Sequence, residues 1–360
     1  MATEKHLVIG LMSGTSVDAV DAALIETDGE DFVRPIAFVD RPYTQSEHRL
    51  IRAAAAVAVA MSDPGEHPLI AEAERVLTLA HAAAVAALPG QETATLIGFH
   101  GQTVAHRPTD RWSWQIGDAA LLARLTGRAV VHDFRSADVA AGGQGAPLAP
   151  GFHRALAAGL DRPIGVLNLG GVGNLTWFSD DDWGAFDTGP GNSLIDDWMQ
   201  ENGLGSFDAE GALAAAGMLR DDVLAAMCDL PWFDQPGPKS LDRADFSIAA
   251  ARGLSPADGA ATLTAFTAET IRLALGTIPV RLNRLLVTGG GARNPVLMRM
   301  LSDRTGIPAA PVEAVGWQGD ALEAQAFAWL AVRHVRGLPL SWPETTGVPA
   351  PTMGGRLVSP

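Results

Sequence analysis

Apolar residues alternate or cluster over residues 6–12, 22–27 and 33–40, and this pattern predicts three strands. The segment SGTSVDAVD joins the first two. Helical periodicity follows over residues 47–61 and 68–88; in the second stretch Leu69, Ala73, Val76, Leu77 and Ala80 fall on one face. A strand at 95–99, a loop HGQTVAHRP, a short helix near 118–126 and a strand at 129–133 complete the series. Beyond the glycine- and proline-rich segment AAGGQGAPLAPG a comparable order begins again. Strands are predicted at 164–169, 175–178 and 183–186, and helices at 193–202, 208–217 and 257–275. A strand at 285–288, a helix opening at Asn294-Pro295 and a long helix over 320–335 follow. The tail from Leu338 has little periodicity.

Both halves therefore run three strands, then helix, strand, helix, although no sequence self-similarity supports a repeat. The pattern predicts an α/β protein of two similar lobes, each a mixed sheet with helices, and an active-site cleft between them. The expected division is 1–135 plus 338–360 for the first lobe and 136–337 for the second.

Composition narrows the function. The chain has 360 residues, 47% of them hydrophobic, enough for a sizeable core without staples. The single cysteine, Cys228, excludes a disulfide framework and a cysteine zinc site and suits a reduced, cytoplasmic setting. With 41 acidic against 26 basic residues the formal net charge is −15, which repels phosphate backbones and argues against nucleic acid as a partner. Lys5 and Lys239 are the only lysines, so no polybasic membrane anchor is expected. The opening MATEKHLVIGLMSG does not read as a secretory leader, and no apolar run reaches the ~18 residues of a membrane span.

Three glycine-rich segments carry the candidate chemistry. In the first, Gly14 lets backbone N–H groups approach an anion, Thr15 and Ser16 offer hydroxyl donors, and Asp18 and Asp21 suit a magnesium ion bound through water. An ordinary hairpin turn is the alternative. GxxxxGK[ST] is absent, so this is not a Walker loop. The second segment, FDTGPGN, follows the strand WGAF; it places Asp187 at a strand end and Thr188 beside a helix N-terminus suited to anionic oxygens. The third is VTGGGARNP, with Asn294 as N-cap, Pro295 as first helical residue, and Gly289, Gly290 and Gly291 leaving room for a nucleotide against bare backbone. Gly171 of GGVGN, Gly189 of FDTGPGN and Asn294 are placed with the nucleotide as well.

The blocks GLMSGTSVDAVDAAL, GFHGQTVAHRP, DFRSADVAAGGQGAPLAP, LNLGGVGNLT, FDTGPGNSLIDDW, VTGGGARNPVLM and GDALEAQAFAWLA, in order from residue 9 to about 347, strongly resemble the anhydro-N-acetylmuramic acid kinase family. The resemblance implies the sugar-kinase, actin and heat-shock ATPase superfamily, with two ribonuclease-H-like lobes, ATP and magnesium, and a homodimer. It implies that water opens the 1,6-anhydro ring while O6 is phosphorylated, giving N-acetylmuramic acid 6-phosphate in peptidoglycan recycling. Residues Ser13, Gly14, Thr15, Ser16, Val17, Asp18, Ala19 and Val20 match the family's first phosphate loop. Asp187 matches the catalytic base, Arg135 and Glu323 match sugar-binding positions, and His100 and Gln102 lie in a block placed near the sugar. Val17 and Ala19 stand where the family commonly has leucine and glycine.

Two rival readings remain open on sequence. One is a kinase of the same superfamily acting on another hexose or amino sugar. The other is a nucleotide-driven assembly or chaperone protein, which would want an added surface module that no segment here provides. The acidic triplet Asp180–Asp182 reads as a solvated turn, and His100 and His106 lack metal-ligand spacing.

Overall fold

The computed structural model describes residues 4–241 and 246–360. Residues 1–3, part of the stretch read for a leader, lie outside the described residues. The chain divides into two compact units, Met1–Gly159 with Asp320–Pro360, and Leu160–Gly319.

In the first unit β1 (His6–Ser13), β2 (Ala19–Thr27) and β3 (Val33–Pro42) form an antiparallel meander. Two helices follow, α1 (Gln45–Ala60) and α2 (Pro68–Ala87). Thr44 and Glu47 start α1 with a reciprocal capping box, which satisfies two N-terminal donors at once. Next come β4 (Leu96–Arg107), β5 (Trp112–Ile116), α3 (Ala119–Thr126), β6 (Ala129–His132), α4 (Ser136–Ala140) and α5 (Pro150–Leu156). The expected strand at 95–99 is far longer, and HGQTVAHRP is not a loop. Its residues pair antiparallel with β5, from Gln102 opposite Ile116 to Arg107 opposite Trp112. Gly101, at φ +73°, and a register shift between Thr103 and Ala105 break the alternation that would have marked the strand.

The second unit opens with a like meander, β7 (Ile164–Leu169), β8 (Val172–Phe178) and β9 (Trp183–Pro190). Helices α6 (Ser193–Glu201), α7 (Ala212–Ala216), α8 (Asp221–Cys228) and α9 (Pro256–Leu275) follow. Then β10 (Arg284–Thr288), α10 (Pro295–Thr305) and β11 (Ala309–Pro311) complete the unit. Residues 187–190, read as a loop after WGAF, instead continue β9. The helix expected over 208–217 is broken, because Gly211 takes a left-handed conformation before α7. Leu167, Leu175, Phe186, Ile271, Leu285 and Leu297 form this unit's core, where α9 and α10 cover the sheet.

From Asp320 the chain belongs to the first unit again, through α11 (Leu322–Val335), α12 (Pro343–Thr346) and β12 (Arg356–Val358). Its sheet runs β12-β6-β4-β1-β2-β3, with β5 attached to β4. The other sheet runs β11-β10-β7-β8-β9. In both, the first strand of the meander is central and two parallel strands continue beyond it, the ribonuclease-H-like order. The unit boundaries differ from the expected 135/136 and 337/338. Residues 136–159 and 320–337 go with the first unit because α11 packs on β1, β2 and β4 while α5 packs on α11. Phe152 of α5, for instance, meets the ring of Trp329 edge-on at 6.3 Å.

Helix α11 approaches the sheet at Gly10 and Gly98, which face one another across β1 and β4. A Cβ at Gly10 would collide with the Ala324 carbonyl, and one at Gly98 with the Phe327 carbonyl. Only glycine permits that approach. Among the described residues no helix is long and apolar enough to cross a membrane.

Candidate active site

The turn between β1 and β2 is short: Val17 N–H donates to the Gly14 carbonyl at 3.0 Å, and β2 begins at Ala19. Val17 sits at φ +59°, a strained conformation for a β-branched residue, and its side chain is buried in an apolar cluster with Ile51, Leu77 and Val104. Burial of Val17 leaves Thr15, Ser16 and Asp18 exposed at the turn, where hydroxyls and main-chain donors are open to an anion. Val20 is part of the buried core, and Ala19 starts the strand.

Ser13 and Gln102 brace this turn from below. Ser13 Oγ donates to Gln102 Oε1 at 2.6 Å and accepts from the hydroxyl of Tyr43 at 2.9 Å. Gln102 Nε2 donates to the Gly14 carbonyl at 3.1 Å and to the Thr103 carbonyl at 3.3 Å. Both side chains are buried, so Gln102, placed near the sugar on sequence, holds the phosphate-loop candidate instead. Tyr43, the only tyrosine, is a member of this network that no sequence motif signalled.

Asp21 faces a crowd of like charge. It stands directly across the sheet from Asp40, and its carboxyl is pushed up to about 7 by burial and by the charges of Glu323, Asp40 and Asp320. Glu323, exposed in the first turn of α11, also acts on Arg135. The structure thus gathers Asp21, Arg135 and Glu323 in one electrostatic neighbourhood. Among the described residues, no three carboxylate, histidine or cysteine groups are close enough to hold a metal ion unaided.

Arg135 precedes α4, and its guanidinium is held on two sides. Nε and Nη2 donate to His100 Nε2 at 3.0 and 2.9 Å, and Nη1 donates to the Gly145 carbonyl at 2.7 Å. His100 Nδ1 lies 2.8 Å from the Gly101 carbonyl, so both ring nitrogens are engaged and none is left for a sugar hydroxyl. His100 serves the site by fixing Arg135. Three of the guanidinium's five N–H groups are taken, leaving one on each terminal nitrogen, a fork suited to a carboxylate.

In the second unit Asp187 lies in β9, opposite Asn174 of β8. Its N–H donates to the Lys239 carbonyl at 2.9 Å, and its Oδ2 accepts the Leu241 N–H at 2.8 Å. Burial pushes the carboxyl up to about 7, against the lowering effect of the Leu241 N–H. Lys239 organises the supporting segment. Its Nζ donates to the carbonyls of Trp232 at 3.0 Å and Gln235 at 2.6 Å and lies 4.1 Å from the Trp232 ring centroid.

The glycine turns of this unit meet at one end of the sheet. N–H groups of Gly191 and Asn192 donate to the carbonyls of Gly171 at 2.9 Å and Gly170 at 2.7 Å, and Asn192 Nδ2 donates to the Leu169 carbonyl at 2.8 Å. Gly290 and Gly291 come against the Asn192 side chain, so a Cβ at either would press on it. Gly289 is left-handed, at φ +81°. Gly171 and Gly290 are exposed, with open space beyond Gly171. Two expected nucleotide contacts have structural duties instead. Asn294 Oδ1 accepts the N–H groups of Val296 and Leu297, both at 3.0 Å, as the cap of α10. Gly189 is buried where a Cβ would strike Thr270. Thr188 is likewise buried, and its hydroxyl has no hydrogen-bond partner among the described residues.

The family description "Anhydro-N-acetylmuramic acid kinase" matches residues 6–359. The chain is 56% identical to the anhydro-N-acetylmuramic acid kinase of Rhizorhabdus wittichii over 98% of each chain. It is 53% identical to the anhydro-N-acetylmuramic acid kinase of Paramagnetospirillum magneticum, over 97% of this chain and 99% of that one. A solved structure of a xyloylose kinase from Brucella ovis covers 99% of this chain, at 13% identity and a TM-score of 0.45, with 94% of its own length aligned.

Proposed function

The chain belongs to the anhydro-N-acetylmuramic acid kinase family, and we propose that it uses ATP to convert 1,6-anhydro-N-acetylmuramic acid and water into N-acetylmuramic acid 6-phosphate and ADP. The observation that carries the chemistry is Asp187: a carboxyl anchored by one main-chain N–H and poised near neutrality, as a general base should be. O6 of the anhydro sugar is tied to C1 and cannot attack phosphorus until that bond breaks. Asp187 takes a proton from water as the water oxygen bonds to C1. In the same step O6 leaves C1 with the bonding pair and bonds to the γ-phosphorus of ATP, and ADP departs.

The remaining residues position and neutralise. Arg135 offers its free fork to the lactyl carboxylate, with Glu323 nearby for sugar hydroxyls. The turn around Gly14, Thr15 and Ser16 and the glycines 289–291 suit phosphate and nucleotide. The crowded carboxylate of Asp21 on β2, with exposed Asp18 on the turn before it, would hold a magnesium ion through water. When bound, the ion supplies charge neutralisation at the transferring phosphoryl group. We place the reaction in the cytoplasm, which the single cysteine suits, and the chain in a homodimer, as the resemblance implies.

The test is turnover. ADP release in step with added anhydro-N-acetylmuramic acid, and none with glucose, supports the assignment. Equal turnover on glucose favours the general hexose kinase instead.

A further inference from the structure

Arg135 is held by the Gly145 carbonyl, and Gly145 lies in a glycine-rich segment, residues 142–145, in which Gly142 and Gly145 are left-handed at φ +100° and +69°. The side chain that fixes it is Asp138, which is 2% exposed. Asp138 Oδ1 accepts the Gly145 N–H at 2.6 Å, and its main-chain carbonyl accepts the Gly143 N–H at 2.9 Å. Its other oxygen, Oδ2, accepts the hydroxyl of Thr346 at 2.6 Å. Thr346 is fully buried on α12, and its carbonyl accepts the N–H of Gln144 at 2.7 Å. A Cβ at Gly143 would run into the Asp138 carboxylate, so the segment is closely wrapped around that side chain.

We propose that Asp138, clamped by Thr346, is a positioning residue that sets the free fork of Arg135 and thereby the enzyme's preference for a sugar bearing a carboxylate. The chain of contacts is continuous: Thr346 hydroxyl, Asp138 carboxylate, Gly145 N–H, then Gly145 carbonyl to Arg135 Nη1. Asp138 also favours the charged guanidinium, as Glu323 does more strongly, against a burial that lowers its pKa to about 10. The final α-helix, more than two hundred residues beyond Arg135, is in this way part of the sugar site. This assignment rests on the reading that Arg135 receives the lactyl carboxylate.

Two variants and two readouts separate the clamp from that reading. Thr346→Val is nearly isosteric and removes one hydrogen bond; Asp138→Asn keeps one acceptor and loses the charge. The first readout needs no sugar: the Arg135 Nε–H signal in arginine-labelled protein, assigned by its loss in Arg135→Lys, with its rate of solvent exchange. The second is KM and kcat on anhydro-N-acetylmuramic acid and on the same anhydro sugar lacking the lactyl group. The clamp predicts faster exchange at Arg135 in both variants. It also predicts KM for the acidic sugar raised by about tenfold, the equivalent of one net hydrogen bond, with kcat and the lactyl-free sugar changed far less. Unchanged exchange in folded Thr346→Val and Asp138→Asn overturns the clamp, whatever the kinetics. Faster exchange in the variants with no loss of sugar preference, in them or in Arg135→Lys, upholds the clamp and overturns the lactyl assignment of Arg135. Equal losses on both sugars, with kcat falling as KM rises, mark a general structural defect and overturn the specificity role.

Discussion

Two N–H groups of Arg135 converge on one nitrogen of His100, at 3.0 and 2.9 Å. A guanidinium only donates, so His100 Nε2 is unprotonated, and the contact of Nδ1 with the Gly101 carbonyl fixes the proton there. Burial, with the charge of Arg135, pushes the imidazole well below its usual range, which keeps it neutral as that geometry requires. Lysine cannot reproduce this arrangement, because a single ammonium cannot serve His100, Gly145 and a ligand carboxylate together. For Arg135→Lys we expect a loss equivalent to about 1.5–3 kcal/mol in kcat/KM on the muramic acid. The lactyl-free anhydro sugar should lose much less. Steady-state kinetics on both sugars is the check, and equal losses would assign Arg135 to structure or phosphate.

Replacing Asp187 with asparagine separates base catalysis from binding. The amide oxygen still accepts the Leu241 N–H, so the local structure is retained. It cannot accept a proton from water, and turnover should fall by at least about 10²–10⁴, the usual range for a general base. Dissociation constants for ATP and sugar, measured calorimetrically, should change little. Ring-opened N-acetylmuramic acid, whose O6 is already free, should be spared part of the loss if the wild-type enzyme accepts it. Near-normal turnover on the anhydro sugar would remove Asp187 from the base role.

The pH dependence follows from the same carboxyl. Only the ionised form accepts a proton, so kcat/KM should decline as pH falls through about 7 and level off above it. Stability should move the other way. A carboxyl raised in the folded state binds more protons there than in the unfolded chain between about pH 4 and 7, so its contribution falls as pH rises through that window. Asp21, also raised to about 7, acts with the same sign. Asp187→Asn and Asp21→Asn should therefore unfold at higher temperature than wild type at pH 8, with the gap closing toward pH 4. Thermal melts across that range provide the measurement.

Thr15 and Ser16 are exposed on a turn whose geometry is set by buried Val17, Ser13 and Gln102. Removing both hydroxyls should leave the melting temperature within about a degree, since exposed substitutions rarely exceed ~0.5 kcal/mol. KM for ATP should rise by about tenfold or more for each phosphate hydrogen bond lost. An unaltered ATP dependence would take the turn out of the phosphate site.

Much of this architecture was legible in the chain. The two meanders were legible as apolar runs because their inner strands are buried on both faces, as at the neighbours Val8 and Ile9 or Val166 and Leu167. The β4–β5 hairpin was missed because its stretch carries glycine, glutamine and two histidines, which describe contacts rather than a buried face. Site residues were legible as types but not as partners. Ser13 and Gln102 looked like ligand contacts and are braces. Asp187 could be picked out, whereas its anchor is the N–H of Leu241, and a main-chain donor has no side-chain signature. Lys239 had one available signal, its rarity in a chain with two lysines.

The glycine pair at residues 10 and 98 has a further consequence for the sugar site. Helix α11 carries Glu323 in its first turn and Phe327 one turn on, and the Phe327 ring lies 4.5 Å from that of His100. The depth to which α11 sinks toward the sheet therefore governs a carboxylate and the imidazole behind Arg135 together. That depth is set by two missing methyl groups, at the positions of β1 and β4 that face the helix. Adding one carbon atom at either strand would raise the helix, shifting Glu323 and the His100–Arg135 pair while every residue near the sugar kept its identity.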